Sequence, residues 1–360
     1  EMAPSQGRSW TQSCAPWDKL LQRMNEFLSL LSLRTVARGQ GPLAQSSSKL
    51  GETAPNTQEV AADSSARKVH VTVLAPAGET VTSMERSLSM EVRELMQDLR
   101  CRQQSQGIIV KLIHGNNILR PQASLASVQA SDDMTLTMVV ISKCAYALQF
   151  DGGVSVSVTR MNSIPVINDP RTVSVQFYPT QSKFSNLVSW GDGCTTNRRF
   201  SLHLVPTDGK VLPSFCGQNN DHFKGGAHGV PLHQWSHAAV SYNGSERISV
   251  FVNGDCIGTC DSGSLDTAAD APMHLGKNTA NRKDEFFKGS MRSAHIWNRA
   301  LTPQEVNELH TSDKVPQTGL VADWMFTQFG LDSQDRDWLL DATLNSNDGV
   351  VAGPKWVTLQ

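Results

Sequence analysis

The stretch VPLHQWSHAAVSYNGSERISVFVNGDCIGT, from Val230 to Thr259, carries Asn-Gly twice, at Asn243-Gly244 and Asn253-Gly254. Asn-Gly between alternating runs signals a β-hairpin, because both central residues of a type I′ turn need positive φ and these two reach it at least cost. The run before the first pair sets Trp235, His237, Ala239 and Ser241 against Ser236, Ala238, Val240 and Tyr242, and the run after it alternates through Ile248, Val250 and Val252. The expectation is an antiparallel meander with one buried face and a tight turn at each Asn-Gly.

Working outward, 360 residues suffice for two or three domains. A formal net charge of −2 with 18% charged residues gives no basic field for nucleic acid or an anionic membrane. No apolar run reaches the roughly 20 residues that cross a bilayer. Seven cysteines are an odd number, so at least one is free or paired between chains. Cys256 and Cys260 on one extended strand would lie about 13 Å apart, too far for a disulfide. Reduced thiols are expected, with Cys194 and Cys216 the best disulfide candidates in an oxidising compartment. The zinc-type Cys/His spacings do not occur.

Residues 1–67 read as a largely irregular arm, since GQGPLAQSSSKLGETAPNTQEVAADSSA has too little apolar content to offset its ordering entropy. Within it Trp17, Leu20, Leu21, Met24, Phe27, Leu28 and Leu31 recur at helical spacing after Pro16, which predicts an amphipathic helix over about 17–37. That helix fits an organelle presequence, a partner-docking element, or a helix folded onto its own chain.

Residues 68–143 form the next unit. VHVTVLA alternates as a strand turned by Gly78, and a weaker strand follows to about Met84. SMEVRELMQDLRC puts Val92, Leu95, Met96 and Leu99 on one helical face, with Ser89 as N-cap and Glu91 in the first turn. GIIVKLIHGNNIL and MTLTMVVI supply two further strands. This β-β-α-β-β order resembles a ubiquitin-like β-grasp domain, through VKLIHGNNIL and ASLASVQASDDMTLTMVV. The resemblance implies a partner-binding apolar patch to which Leu112 and Val139 correspond. The chain continues as ISKCAYALQF with no di-glycine terminus, so the unit would be a fused recognition or spacer module rather than a conjugated one. It also favours an intracellular location, in the cytosol or an organelle, over secretion.

From about 145 onward, short strands recur between turn signals at roughly ten-residue spacing, which argues for a sandwich. The ordered set ALQFDG, SWGDG, VPLHQWSHAAVSYNG, ISVFVNGDCIG, MHLGK and FFKGSMRSAHIWNRALTPQEV resembles a laminin-G-like, concanavalin-A-like jelly roll over 145–315. LTPQEVNELH is a closing helix with Thr302 as cap and Pro303 in its first turn. Residues 316–360, with Trp324, Phe326, Trp338 and Trp356, are expected to complete the same sandwich rather than open a second one. The fold class is therefore multidomain and mainly β: a ubiquitin-like β-grasp plus a concanavalin-A-like sandwich behind an irregular arm.

Concanavalin-A-like folds include glucanases, whose retaining mechanism needs two carboxylates about 5 Å apart. Their Glu-x-Asp-x-x-Glu pattern is absent from this sequence, so no enzyme is expected. The resemblance also implies calcium at a loop rim, for which Asp151, Asp192, Asn347 and Asp348 are the candidate ligands. Against this, Gly289-Ser290-Met291-Arg292-Ser293 places a cation where the family commonly has an acidic pair. His237 and His295 read as strand histidines of structural character. Asn243-Gly244-Ser245 is a glycosylation sequon that turn geometry already explains.

The sequence alone favours a non-catalytic adaptor or accessory subunit of a larger assembly with protein partners, binding through Leu112, Val139, Trp17, Leu20, Met24, Phe27 and Leu31. The alternative is a calcium-assisted, lectin-like module that binds glycan, for which exposed aromatics beside Asn or Asp on one rim would be the mark.

Overall fold

The computed structural model describes residues 67–102, 108–128, 132–142, 146–158, 160–217, 221–222, 228–280, 285–312, 314–326 and 337–359. The expected helix with Trp17, Leu20, Met24, Phe27 and Leu31 lies outside the described residues. No helix among the described residues is long and apolar enough to cross a membrane.

The N-terminal described unit is a five-stranded mixed sheet. Lys68–Leu74 pairs antiparallel with Thr80–Ser87 and parallel with Asp133–Ser142, which pairs antiparallel with Ile108–His114, itself paired with Asn117–Ile118. Strand alternation puts Val69, Val71 and Val73 on one face, where Val92, Leu95, Met96 and Leu99 of the helix Val92–Arg102 cover them. Full burial of each such side chain stabilises by about 1.5–3 kcal/mol. The helix starts differently from the sequence reading. Glu94 accepts the Glu91 N–H at 3.1 Å, half of a capping box, while the Ser89 hydroxyl contacts Ser87 at 2.7 Å.

The remainder is mainly β and forms a sandwich. One sheet runs Asp255–Asp261, Arg247–Val252, Ser236–Tyr242, Arg171–Pro179 and Lys288–Trp297. The free edge of Lys288–Trp297 is shared between Tyr146–Asp151 and Leu320–Met325, and Lys355–Thr358 pairs with Tyr146–Asp151. The other sheet runs Lys210–Cys216, Arg199–Thr207, Ser185–Gly191, Met273–Leu275, Ser155–Val158, Gly349–Ala352 and Asp337–Asp341. Pairing of Trp324 with Asp341 joins the two sheets. Phe150, Phe177, Trp190, Phe200, Phe215, Tyr242 and Trp324 fill the core between them.

The meander forms, with two corrections. Asn253 (φ 49°) and Gly254 (φ 87°) make a two-residue turn between the paired Val252 and Asp255, as type I′ geometry requires. At the other end Tyr242 pairs with Ile248, so Asn243-Gly244 opens a longer loop. The Asn243 side-chain oxygen organises that loop by accepting the N–H groups of Ser245, Glu246 and Arg247 at 3.0, 3.1 and 2.9 Å. Nor is only one face of the meander buried. Ala238, Val240 and Tyr242 face the core, while Ala239 and Phe251 on the outside lie under Trp297, Leu301, Val306 and Leu309. The last two belong to the helix Pro303–Ser312, whose capping box is complete. Thr302 Oγ1 accepts the Glu305 N–H at 3.2 Å, and Glu305 accepts the Thr302 N–H at 2.9 Å.

Candidate functional site

Arg292 becomes intelligible through strand register. Ser290 opposes Tyr178 and Met291 opposes Phe177, but the next pair is Ser293 with Gln176, so Arg292 is the extra residue of a β-bulge. Met291 and Phe177 are buried in the core, which puts Tyr178, Gln176 and Ser290 on the outer face. There Arg292 Nε donates to Gln176 Oε1 at 2.8 Å, and its guanidinium lies 4.7 Å from the Trp235 ring centre.

Trp235 immediately precedes Ser236, which opposes Phe177, so its ring reaches Tyr178 at 5.6 Å and a 54° tilt. His233 meets Tyr178 edge-on at 6.1 Å; it holds a left-handed backbone (φ 60°) and donates its N–H to Pro179 O at 2.8 Å. Tyr178, Trp235 and Arg292 are half-buried and His233 is exposed. The Tyr178 hydroxyl, the Trp235 indole N–H and both Arg292 Nη atoms meet no hydrogen-bond partner among the described residues. Gln149, opposite Ser290, continues the same row and is exposed. Three rings and a fixed cation thus present unengaged donors on one surface.

The expected calcium ligands sit elsewhere and are already engaged. Asp151 accepts the Gly153 N–H at 2.8 Å. Asp192 accepts the Thr195 hydroxyl at 2.5 Å and the Cys194 N–H at 2.8 Å, and these bonds hold its carboxyl below the usual range. It lines an open groove of about 600 Å³ with Arg198, Asp270 and Thr279. Asn347 donates to Val321 O at 2.9 Å and Asn162 O at 3.1 Å. Asp348 accepts Arg93 at 2.6 Å, Gln122 at 2.9 Å and the Asp341 N–H at 2.7 Å. Among the described residues no three His, Cys, Asp or Glu side chains are grouped to hold a metal ion.

Leu112 and Val139 do not share a surface. Leu112 is fully buried beneath the helix, whereas Val139 opposes Lys111 on the other face of that sheet and is half-buried. The expected apolar patch is corrected accordingly: adjacent positions on a strand point to opposite faces.

The outer face of the second sheet is polar but closed. Ser157, His274, Ser189, Ser201 and Cys216 form one row across five strands, and all but Ser157 are buried. Burial pushes His274 down to about 4. Cys216 contacts Arg199, and Cys194 is a free, exposed thiol, so these two cysteines are not bridged. His237 and His295 lie under the closing helix side of the first sheet. His237 Nε2 meets Ser174 Oγ at 2.8 Å and its ring stacks on His310 at 5.6 Å, while His295 Nδ1 lies 3.0 Å from Asp323 Oδ1.

Residues 150–307 match the family model described as "Concanavalin A-like lectin/glucanases superfamily". This part of the chain is a concanavalin A-like jelly roll. No curated protein matches the chain. Among solved structures, the chain's neighbours include a native heptameric SAP-like pentraxin from Limulus polyphemus, at 17% identity over 61% of this chain and 96% of that one, with a TM-score of 0.46. A putative carbohydrate binding protein from Bacteroides ovatus is 16% identical over 71% of this chain and 70% of that one, with a TM-score of 0.47. Domain 4 of the arabinanase AbnA from Geobacillus stearothermophilus, in complex with arabinotriose, is 23% identical over 46% and 76%, with a TM-score of 0.38.

The sequence reading missed this patch because a bulge leaves no mark in composition. Its one available signal was the cation at Arg292, read there only as a missing carboxylate.

Proposed function

We propose that the protein is a non-catalytic, lectin-like module that binds glycan through the outer sheet face at Tyr178, Trp235, His233 and Arg292. The observation that carries this reading is the pairing of half-exposed Tyr178 and Trp235 rings with unengaged hydroxyl, indole and guanidinium donors. Sugars offer apolar C–H faces beside hydroxyls, so ring surface and directed donors are the chemistry that recognises them. A family model whose description includes lectins supports the same reading. The absence of a Glu-x-Asp-x-x-Glu strand from the sequence supports the non-catalytic part. The adaptor role rested in part on Leu112, which is buried, so the glycan reading takes precedence.

The unit at 68–142 is, on this reading, a ubiquitin-like β-grasp that braces the jelly roll. Its strand order and the parallel pairing of its first and last strands support that assignment. An experimental structure would test it, since superposition on ubiquitin should include all five strands.

The functional test is binding of the intact protein to an oligosaccharide array, with calcium and with chelator. Trp235→Ala should weaken the bound glycans about 10-fold or more, as loss of an aromatic anchor does, at an unchanged melting temperature. Absence of glycan binding, or binding indifferent to Trp235→Ala, would remove the reading. Loss with chelator would add calcium to it.

A further inference from the structure

We infer that the patch receives the carboxylate of an acidic sugar, with Arg292 as the fork that holds it; this rests on the glycan-binding reading above. Arg292 is fixed from two sides. Its Nε is engaged by Gln176 and its Cζ lies 4.7 Å from the Trp235 ring centre, so the Nη1 and Nη2 edge is the one left for a ligand. Two parallel N–H groups in one plane match the two oxygens of a carboxylate, and no neutral hydroxyl uses both equally well.

Fixing a long side chain before the ligand arrives also removes an entropic cost from binding. Arg292 as a residue is half-buried, which reduces competition from water. The local charge favours an anion too. Lys288 lies two residues from Ser290 on the same strand face and is exposed, while Gln149, Gln176, Ser290, Tyr178 and Trp235 are neutral. The carboxylate closest in register is Asp151, opposite Lys288 at the end of the sheet, where it accepts the Gly153 N–H. The bulge thus converts a position at which the laminin-G resemblance implied an acid into a receptor for one.

The test is calorimetry on the intact protein with oligosaccharides that differ only in their carboxylates: trigalacturonate against galactotriose, and glucuronosyl-xylotriose against glucosyl-xylotriose. The acidic member should bind about 10-fold tighter or more at low salt, with the advantage shrinking at high salt. Arg292→Gln should bring the two members of a pair to equal affinity. Arg292→Lys, which keeps the charge and loses the fork, should recover only a minor part of the preference. Circular dichroism melting of both variants verifies that they fold. Equal affinity for acidic and neutral members in the wild-type protein, or a preference that survives Arg292→Gln, overturns the inference and leaves the glycan reading standing. Binding of neither member overturns both.

Discussion

Arg93 and Asp348 form an ion pair across 255 residues of sequence, with both side chains less than a tenth exposed. Arg93 leaves the helix Val92–Arg102 with Nη2 on the Asp348 carboxylate at 2.6 Å and Nη1 on the Asp341 carbonyl at 2.6 Å. Asp348 in turn fixes the Asp341 N–H, and the Asp341 carboxylate accepts the N–H groups of Asp323, Thr343 and Asn347. The five-stranded unit and the C-terminal loop of the sandwich therefore meet through a buried polar network in which each member depends on the next.

Removing one partner of such a pair leaves a buried charge without compensation, which costs about 3–5 kcal/mol. Arg93→Ala should lower the unfolding free energy by that amount, and Asp348→Ala should do the same by stranding Arg93. The double variant Arg93→Met with Asp348→Leu should be more stable than either single variant, because no charge remains to be desolvated. A single variant that unfolds within about 0.5 kcal/mol of wild type, the range of ordinary surface substitutions, would show that the pair is solvated in solution.

The parts of the fold that local chemistry decides were legible in the sequence, and the parts that long-range register decides were not. The capping box at Thr302 and Glu305, the helix face of Val92, Leu95 and Leu99, and the tight turn at Asn253-Gly254 each depend on a few neighbouring residues. By contrast, Asn243-Gly244 presents the same dipeptide as Asn253-Gly254 but a different turn, because pairing of Tyr242 with Ile248 leaves too many residues for a two-residue loop. The outward placement of Arg292 follows from a shift against Gln176 on a strand more than a hundred residues away. Burial of both meander faces likewise needed the helix at Pro303–Ser312 to fold back, and alternation within one strand cannot report what covers its outer side.

The two Asn-Gly sites should respond differently to substitution. Gly254→Ala forces a Cβ into a left-handed residue and to within 2.9 Å of the Asn307 side chain, so it should cost about 1–2 kcal/mol. Gly209→Ala meets the same backbone demand with no atom within 4 Å and should cost less. At the other loop the critical residue is the asparagine. Asn243→Ala removes the shared acceptor of three exposed N–H groups, an acceptor that water can replace. Asn253→Ala strands the part-buried His237 N–H and puts alanine at φ 49°, so it should be the more damaging, as melting temperatures of the two would reveal.

Thiol chemistry offers a direct check on the chain's redox state. Cys101, Cys194 and Cys256 are exposed, whereas Cys216 is buried against Arg199. Alkylation of the native protein followed by peptide mapping should label the first three quickly and Cys216 only after unfolding. Recovery of a Cys194–Cys216 disulfide from the freshly isolated protein would contradict the structure.

Acid should destabilise the protein well above the carboxylate range, because His237 is buried in a neutral form. Burial first, then the nearby His310 of the closing helix and His295 two strands across the sheet, pushes its pKa from 6.5 down to about 3. Ser174 on the third strand of the group contacts its Nε2. Since the folded pKa lies below the unfolded one, the unfolded chain binds the extra proton: the contribution is fully present above pH 6.5 and declines as the pH falls from there toward about 3. Within that window one such group weakens folding by about 1.4 kcal/mol per pH unit, and His274, depressed to about 4 by burial, adds a second contribution over a narrower range. His237→Gln keeps an acceptor for Ser174 and removes the titration, so its stability should fall less steeply than wild type between pH 6.5 and 4.5. Parallel stability profiles for the two proteins would mean that His237 is accessible to water or already protonated when folded.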